Sequence, residues 1–162
     1  MEYSEHTGAF DSPISIRPMG VGEFALWRER FVRDWSDDLT RVEDLAPDEA
    51  QREAARRLQG DLPDGMATLG HHLFVLLEGD AIVGDFWFSI SAGGAFLEDI
   101  TIVPNARGRG VGKAALALVE IELRRRGQRH LDLHVYADNT PAIALYRGNG
   151  YRTTGLKMRK VF

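Results

Sequence analysis

The stretch that most constrains the fold is the glycine-rich turn RGRGVG, residues 107–112. It follows the β-branched apolar run ITIV at 100–103 and precedes KAALALVEIELRRR at 113–126, which has the composition of an amphipathic helix. Alternate glycines let the backbone turn tightly and let a ligand approach its N–H groups, and a helix N-terminus attracts anions. The stretch therefore predicts a strand, a phosphate-binding turn and a helix, in that order.

Two better-known phosphate loops do not fit this turn. A Walker A loop requires a glycine five residues before the Gly-Lys pair and Ser or Thr after it, and these places hold Arg107 and Ala114. The dinucleotide motif G-x-G-x-x-G, begun at Gly108, requires a third glycine where the sequence has Lys113. The pattern that remains is R-G-x-G-x-G, and a nucleotide-binding protein of either class is disfavoured.

Composition predicts one soluble domain spanning residues 1–162, with residues 1–12 as a loose polar lead-in. The 20 basic and 24 acidic residues give a net charge of −4, which argues against nucleic acid or a membrane as partner. The absence of cysteine excludes disulfides, thiolate metal sites and a cysteine nucleophile, and we expect no metal. No signal peptide or membrane span is recognisable, so we expect a cytoplasmic location.

Apolar periodicity and turn residues predict an α+β order of β, α, α, β, β, β, α, β, α, β. The segments are a strand at 14–19, helices at 24–39 and 47–59, a hairpin over 71–90, a strand at 95–104, a helix at 113–126, a strand at 130–137, a helix at 141–148 capped by Thr140, and one or two strands within 150–162.

Two motifs resemble the Gcn5-related N-acetyltransferase (GNAT) superfamily: EDITIVPNARGRGVG at 98–112 and NTPAIALYRGNGY at 139–151. The family signature is R/Q-x-x-G-x-G/A after a strand, followed later by N-x-x-A-x-x-L-Y-x-x-x-G-[FY]. Both halves match in the expected order, with one helix and one strand between them. The resemblance implies a single-domain acyl-CoA N-acyltransferase fold, a mixed and mostly antiparallel sheet flanked by helices, and acetyl-CoA as cosubstrate.

The resemblance also implies how acetyl-CoA binds. Backbone amides of residues 107–113 hold its pyrophosphate, and its extended pantetheine arm pairs with the strand at 100–103, which splays from the strand at 131–136. A main-chain N–H near Ile102 polarises the thioester carbonyl. The implied cofactor-binding residues are Ile100, Ile102, Val103, Arg107, Gly108, Arg109, Gly110, Val111, Gly112, Lys113 and Asn139.

Acetyl transfer needs a neutral amine and releases a thiolate that benefits from a proton. Tyr146 matches the family tyrosine near the thioester sulfur and is the candidate general acid. Glu98 is the candidate base, acting through water, because strand alternation places it on one face with Ile100 and points Asp99 the other way. His134 is the substitute base. Direct attack in a ternary complex is implied, since a chain without cysteine forms no thioester-linked acyl-enzyme.

Several of these residues also have a purely structural interpretation. Tyr146 can be a core tyrosine, Glu98 an exposed or ion-paired carboxylate, and Asn139 a helix cap. The side chains of Arg107, Arg109 and Lys113 can add charge for the phosphate or can equally be solvated.

The acceptor is a primary amine of a small molecule, a peptide or a protein, and a homodimer is left open. Acids in or near the first two helices favour a cationic acceptor; they are Asp34, Asp37, Asp38, Glu43, Asp44, Asp48 and Glu49. The alternative function is a non-catalytic acyl-CoA-binding module or sensor that keeps the turn and has lost the chemistry. Retention of Tyr146 and Glu98 argues against that alternative.

Overall fold

The computed structural model describes residues 13–162, and the expected lead-in at 1–12 lies outside the described residues. The elements are β1 (Ile14–Pro18), α1 (Val21–Glu43), α2 (Pro47–Asp61), β2 (His71–Glu78), β3 (Ala81–Ser91), β4 (Gly94–Ile102), α3 (Val111–Arg125), β5 (Leu131–Leu133) and α4 (Thr140–Gly148). This is the predicted order as far as α4. Among the helices of residues 13–162, none is long and apolar enough to cross a membrane.

The five strands form one sheet in the order β1-β2-β3-β4-β5. The first four strands are antiparallel neighbours, and β5 alone pairs in parallel with β4. A parallel pair needs a crossover connection, and α3 supplies it. The prediction of a mixed, mostly antiparallel sheet flanked by helices is therefore confirmed.

Each face of the sheet buries its own core because successive side chains of a strand point to opposite faces. Phe86 and Phe88 of β3 pack in the cluster that contains Leu116 and Val119 of α3. Trp87, between them, packs on the other face with Trp27 of α1, where the two rings meet edge to face with centroids 5.6 Å apart. The sheet thus separates an α3 face from an α1 face.

Several predicted element ends are wrong, among them both ends of α1, which runs over Val21–Glu43 rather than 24–39. Helix α2 runs through Gly60 to Asp61, and the amide of the buried Leu62 still donates to the Leu58 carbonyl at 2.8 Å. The cap of α4 is Asn139 rather than Thr140, because the Asn139 side chain accepts from the Ala142 amide at 3.2 Å.

Strand β5 stops at Leu133 rather than 137, since its pairing with β4 ends there. The segment 151–162 forms no strand. Its apolar residues alternate in the sequence, but Leu156 and Met158 are 84% and 90% exposed. A period of two predicts a strand only where one face becomes buried, and these side chains have no such face.

Candidate active site

An opening lies between β4 and β5. Their parallel pairing joins Ala95 to Leu131, Phe96 to Asp132 and Leu97 to Leu133, and it ends there. Strand β4 continues to Ile102, paired with β3 only. Within the described residues, the β4 backbone beyond Leu97 therefore presents an edge that no strand covers, as predicted for the pair at 100–103 and 131–136.

The glycine turn lies at the end of this edge and begins α3. Gly108 and Gly110 have φ angles of +73° and +85°, a region that side chains other than glycine rarely adopt. The Ala114 amide donates to the Gly110 carbonyl at 3.1 Å as the first bond of the helix. The amides of Val111, Gly112 and Lys113 precede that bond, so they have no acceptor within the helix and are available to an anion.

A side chain at Gly112 would crowd the neighbouring helix α4. A Cβ at this position would lie 3.1 Å from Leu145 Cδ2, tighter than ordinary van der Waals contact. Leu145 belongs to α4 and directly precedes Tyr146. The absence of a side chain at Gly112 thus lets the helix that carries Tyr146 pack against the start of α3.

The cationic side chains of the turn differ in their contacts. Arg109 pairs with Glu78 at the end of β2, with Nη2 and Oε2 2.8 Å apart. Arg107 Nε donates to the Ile102 carbonyl at 2.9 Å and ties the turn to the end of β4. Lys113 is exposed. Arg109 therefore serves the fold at least in part, and the backbone amides are the main resource for binding an anion.

A β-bulge in β4 changes which side chains face the opening. Trp87 is opposite Asp99, but Phe88 is opposite Leu97, so Glu98 is an extra residue without a partner in the ladder. Leu97 and Ile100 therefore both pack in the α3-face core although they are three residues apart.

Glu98 lies on the α1 face, because its carboxylate accepts from Ser89 Oγ at 2.6 Å and Ser89 shares the face of Trp87. The prediction that Glu98 shares a face with Ile100 and Ile102 is wrong, and the bulge is the reason. The prediction that Asp99 points away from Ile100 is correct. The apolar positions of L-E-D-I at 97–100 stand three apart, a break in the period of two that signals a bulge.

The environment of Glu98 is partly buried and acidic. Burial raises the pKa of Glu98, and the nearby charge of Asp61 at the end of α2 raises it further. The hydrogen bond from Ser89 lowers this pKa and opposes part of the rise. Glu98 is therefore a partly buried, hydrogen-bonded carboxylate rather than an exposed strand residue.

A second acidic group, absent from the candidate residues of the sequence, lies beside Glu98. Arg30 of α1 donates from Nη2 to Asp85 Oδ1 at 2.7 Å and from Nη1 to Thr101 Oγ1 at 2.8 Å. The same Nη2 is 3.7 Å from Asp99 Oδ2, which is buried and has no hydrogen-bond partner. The available signal was the charge of Asp85 within the apolar run IVGDFWF.

Burial dominates the acidity of both aspartates. It raises the pKa of Asp85 to about 6 and, with the added charge of Asp85, that of Asp99 to about 7. Arg30 lowers both pKa values but less strongly than burial raises them. The α1 face thus contains two carboxyl groups that change charge near neutral pH.

Tyr146 of α4 is half-buried and packs against the α3-face core. Burial raises its pKa to about 12, and the charge of Asp99 contributes to the rise. Its ring centroid is 5.7 Å from that of Tyr151. Tyr146 is therefore a phenol at neutral pH, able to donate a proton, and it lies near enough to Asp99 for their charges to interact.

Two further candidates, Asn139 and His134, make local contacts. Asn139 caps α4, as its structural interpretation predicted. His134 follows the end of β5, is exposed, and stacks its ring edge-on against Tyr136 with centroids 5.0 Å apart. Neither contact bears on proton transfer.

Three of the seven helix acids predicted to attract a cation are already paired with arginines. Glu43 pairs with Arg57 at 3.1 Å, and Asp38 pairs with Arg41. Asp34 lies within 3.7 Å of Arg30. The acidic character of the site therefore comes mainly from β3 and β4 rather than from the surface of the two helices.

Proteins of one family resemble this chain along most of its length. The sequence profile of the acetyltransferase (GNAT) family matches residues 25–151. The N-acetyltransferase YycN of Bacillus subtilis is 31% identical over 152 residues, which are 91% of this chain and 97% of that protein. A mycothiol acetyltransferase of Clavibacter michiganensis is 33% identical over 150 residues, which are 90% of this chain but only 48% of that protein.

Solved structures agree with these sequence matches. The crystal structure of YycN has a TM-score of 0.87 at 30% identity and covers 92% of this chain and 98% of its own. Spermidine N-acetyltransferase of Vibrio cholerae, solved with CoA and spermine, has a TM-score of 0.64 at 16% identity and covers 92% and 86%. At that lower identity the likeness shows the fold alone.

Proposed function

The chain belongs to the acetyltransferase (GNAT) family, and from that premise we propose that it transfers an acetyl group from acetyl-CoA to a primary amine, by direct attack in a ternary complex. One observation carries the proposal. The edge of β4 beyond Leu97 is not paired with β5, and it leads to the amides at the start of α3 that have no acceptor within the helix. Such an edge suits an extended anionic cosubstrate.

The cofactor-binding residues divide into two groups. The backbone of residues 107–113 binds the pyrophosphate, supported by the left-handed Gly108 and Gly110 and by the helix dipole. The edge at Ile100, Ile102 and Val103 pairs with the amides of the pantetheine arm as an added strand would.

Each residue of the opening has one role in the transfer. Acetyl-CoA supplies the thioester carbonyl, and a main-chain N–H near Ile102 stabilises the negative charge that develops on its oxygen. Tyr146 donates a proton to the departing sulfur, which its raised pKa of about 12 permits because the phenol stays protonated. A β4 carboxylate, Glu98 by family resemblance, takes a proton from the amine.

The acceptor is a cationic amine, since the α1 face places Glu98, Asp99 and Asp85 within one partly buried region. A charged ammonium is attracted there before it loses its proton. A relative named for mycothiol, a small molecule, supports a small-molecule amine. A peptide amine is the second class to test.

The decisive experiment measures thiol release from acetyl-CoA with a panel of polyamines, aminoglycosides, amino acids and peptides. We expect one class to stimulate release. Tyr146→Phe should lower kcat by about ten- to a thousand-fold with little change in acetyl-CoA affinity. Tyr151→Phe is the matched control, because it removes a neighbouring hydroxyl that donates to Glu120 at 3.2 Å instead.

The outcomes separate an enzyme from a sensor. Tight acetyl-CoA binding by calorimetry, with no release for any amine, would favour the non-catalytic acyl-CoA-binding module. Wild-type kcat in Tyr146→Phe would remove Tyr146 from the mechanism. Equal losses in both tyrosine variants would indicate a packing effect rather than proton donation.

A further inference from the structure

We propose that Asp99, rather than Glu98, accepts the proton of the acceptor amine, and that Asp85 and Arg30 position Asp99 and set its basicity. The inference rests on the proposed acetyl transfer and names the base within the same opening. Two observations carry it: the hydrogen bonds of the two β4 carboxylates and the division of Arg30 between its partners; the effect of the Asp99 charge on the pKa of Tyr146 supports it.

The two carboxylates differ in what already holds them. Glu98 Oε1 accepts a short bond of 2.6 Å from Ser89, which stabilises its charged form and weakens it as a base. Asp99 Oδ2 is buried and accepts no well-formed hydrogen bond, although the side chain of Trp27 lies near enough to lower its pKa somewhat. A buried oxygen of that kind costs free energy while it is unpaired, so it gains by taking a proton.

Arg30 binds Asp99 only weakly. Its two terminal nitrogens are committed to Asp85 at 2.7 Å and Thr101 at 2.8 Å, and the 3.7 Å approach to Asp99 is too long for a hydrogen bond. A direct bond would fix Asp99 as a weak base. The arrangement instead holds a cation near enough to keep Asp99 in place while leaving its oxygen free to bind a proton.

The charges around Asp99 come from three packed elements. Arg30 and Asp34 face it from α1, Asp85 from β3, and its own charge acts on Tyr146 of α4. Burial and Asp85 raise the pKa of Asp99 to about 7, near the value at which a base is most effective at neutral pH. Its side chain is 21% exposed as a whole, although Oδ2 itself is buried, so a substrate meets the exposed part of the carboxyl group first.

The transfer then balances in protons and bonds. Asp99 takes one proton from the ammonium, and the freed nitrogen forms a bond to the thioester carbonyl carbon. The carbon–sulfur bond breaks, and Tyr146 protonates the sulfur. The second proton of the nitrogen returns to the Tyr146 oxygen, and Asp99 releases its proton to water. The products are an amide, a thiol and one proton.

The first test does not depend on activity. Aspartate carboxyl carbons labelled with ¹³C are titrated by NMR in the wild type, Asp99→Asn and Asp85→Asn. We expect two carboxyls that titrate near neutral pH in the wild type; the one with the higher pKa should be absent from Asp99→Asn and should move down by on the order of one pH unit in Asp85→Asn. Asp34→Asn is the matched control, because its exposed carboxylate is screened and should shift the titration less.

The second test follows kcat/KM against pH with the amine that the thiol-release panel identifies. Asp99→Asn should lower kcat by about 10²–10⁴-fold. Asp85→Asn should move the acid limb to lower pH with the same amine, a change that a purely structural role of Asp85 would not produce. Glu98→Gln should keep the acid limb and mainly raise KM.

Several results overturn the proposal. A carboxyl of Asp99 that titrates in the ordinary aspartate range, wild-type kcat in Asp99→Asn, or an acid limb that vanishes in Glu98→Gln each refutes it. Failure of the acetyl transfer itself looks different. Thiol release would then be absent from the wild type with every amine, which ends the catalytic role of Asp99 even if the NMR titration behaves as expected.

Discussion

The variant Gly110→Val tests two requirements of the glycine turn: its left-handed backbone conformation and the access of an anion to its amides. Gly110 has a φ of +85°, and valine there costs about 1–2 kcal/mol or more because its Cβ crowds the following carbonyl. In a chain of this length that cost lowers Tm by roughly 2–8 °C. The side chain also blocks the anion. Each lost hydrogen bond to a charged phosphate is worth about 1.5–3 kcal/mol, which is roughly ten- to a hundredfold in Kd.

Gly127→Val is the matched control for this prediction. Gly127 follows the other end of α3, has a φ of +77°, and has no heavy atom within 4 Å of an added Cβ. We expect both variants to lose similar Tm, while only Gly110→Val loses acetyl-CoA affinity by calorimetry. Wild-type affinity in Gly110→Val, or the same loss of affinity in both variants, would refute the assignment of the turn.

Two further predictions concern stability. Asn139→Ala should lower the free energy of unfolding by about 1 kcal/mol through loss of the α4 cap, whereas Thr140→Ala should not; equal Tm values for the two variants would contradict the cap. Asp99→Asn should flatten the pH dependence of Tm. The folded pKa of Asp99, about 7, exceeds its ordinary value of 3.8, so the native state binds more protons and loses stability as pH rises from about 4 to about 7. A wild-type slope in Asp99→Asn would show that Asp99 does not titrate in this window.

The sequence predicted the elements whose pattern is local. The hairpin at 71–90, the strand before the turn and the helix after it are set by periodicity and by glycine, and they fold accordingly. The opening between β4 and β5 followed from the family resemblance rather than from the residues themselves. Local sequence patterns and the family motif were therefore enough to predict the strands and helices that surround the candidate site.

What escaped prediction depends on contacts across the chain. The bulge at Glu98 is defined by the register of β4 against β3, and in the sequence it is signalled only by one break in the alternation of apolar residues at 97–100. Arg30 and Asp85 are 55 residues apart in the sequence, so their bond is invisible to any local pattern. The strand expected within 150–162 does not form for the opposite reason. Its apolar residues alternate as in a strand, but these side chains have no surface to pack against.

The bulge shifts the alternation of side chains in β4 by one residue. A regular strand offers only every second residue to a given face, so two consecutive acids would be split between opposite sides of the sheet. This shift places Glu98 and Asp99 on the same side of the sheet, while Leu97 and Ile100, before and after them, still pack in one core. Residue 98 has no partner in the ladder, so its side chain can differ without disturbing strand pairing. We therefore expect substitutions at 98 to alter the choice of acceptor amine at little cost to the fold.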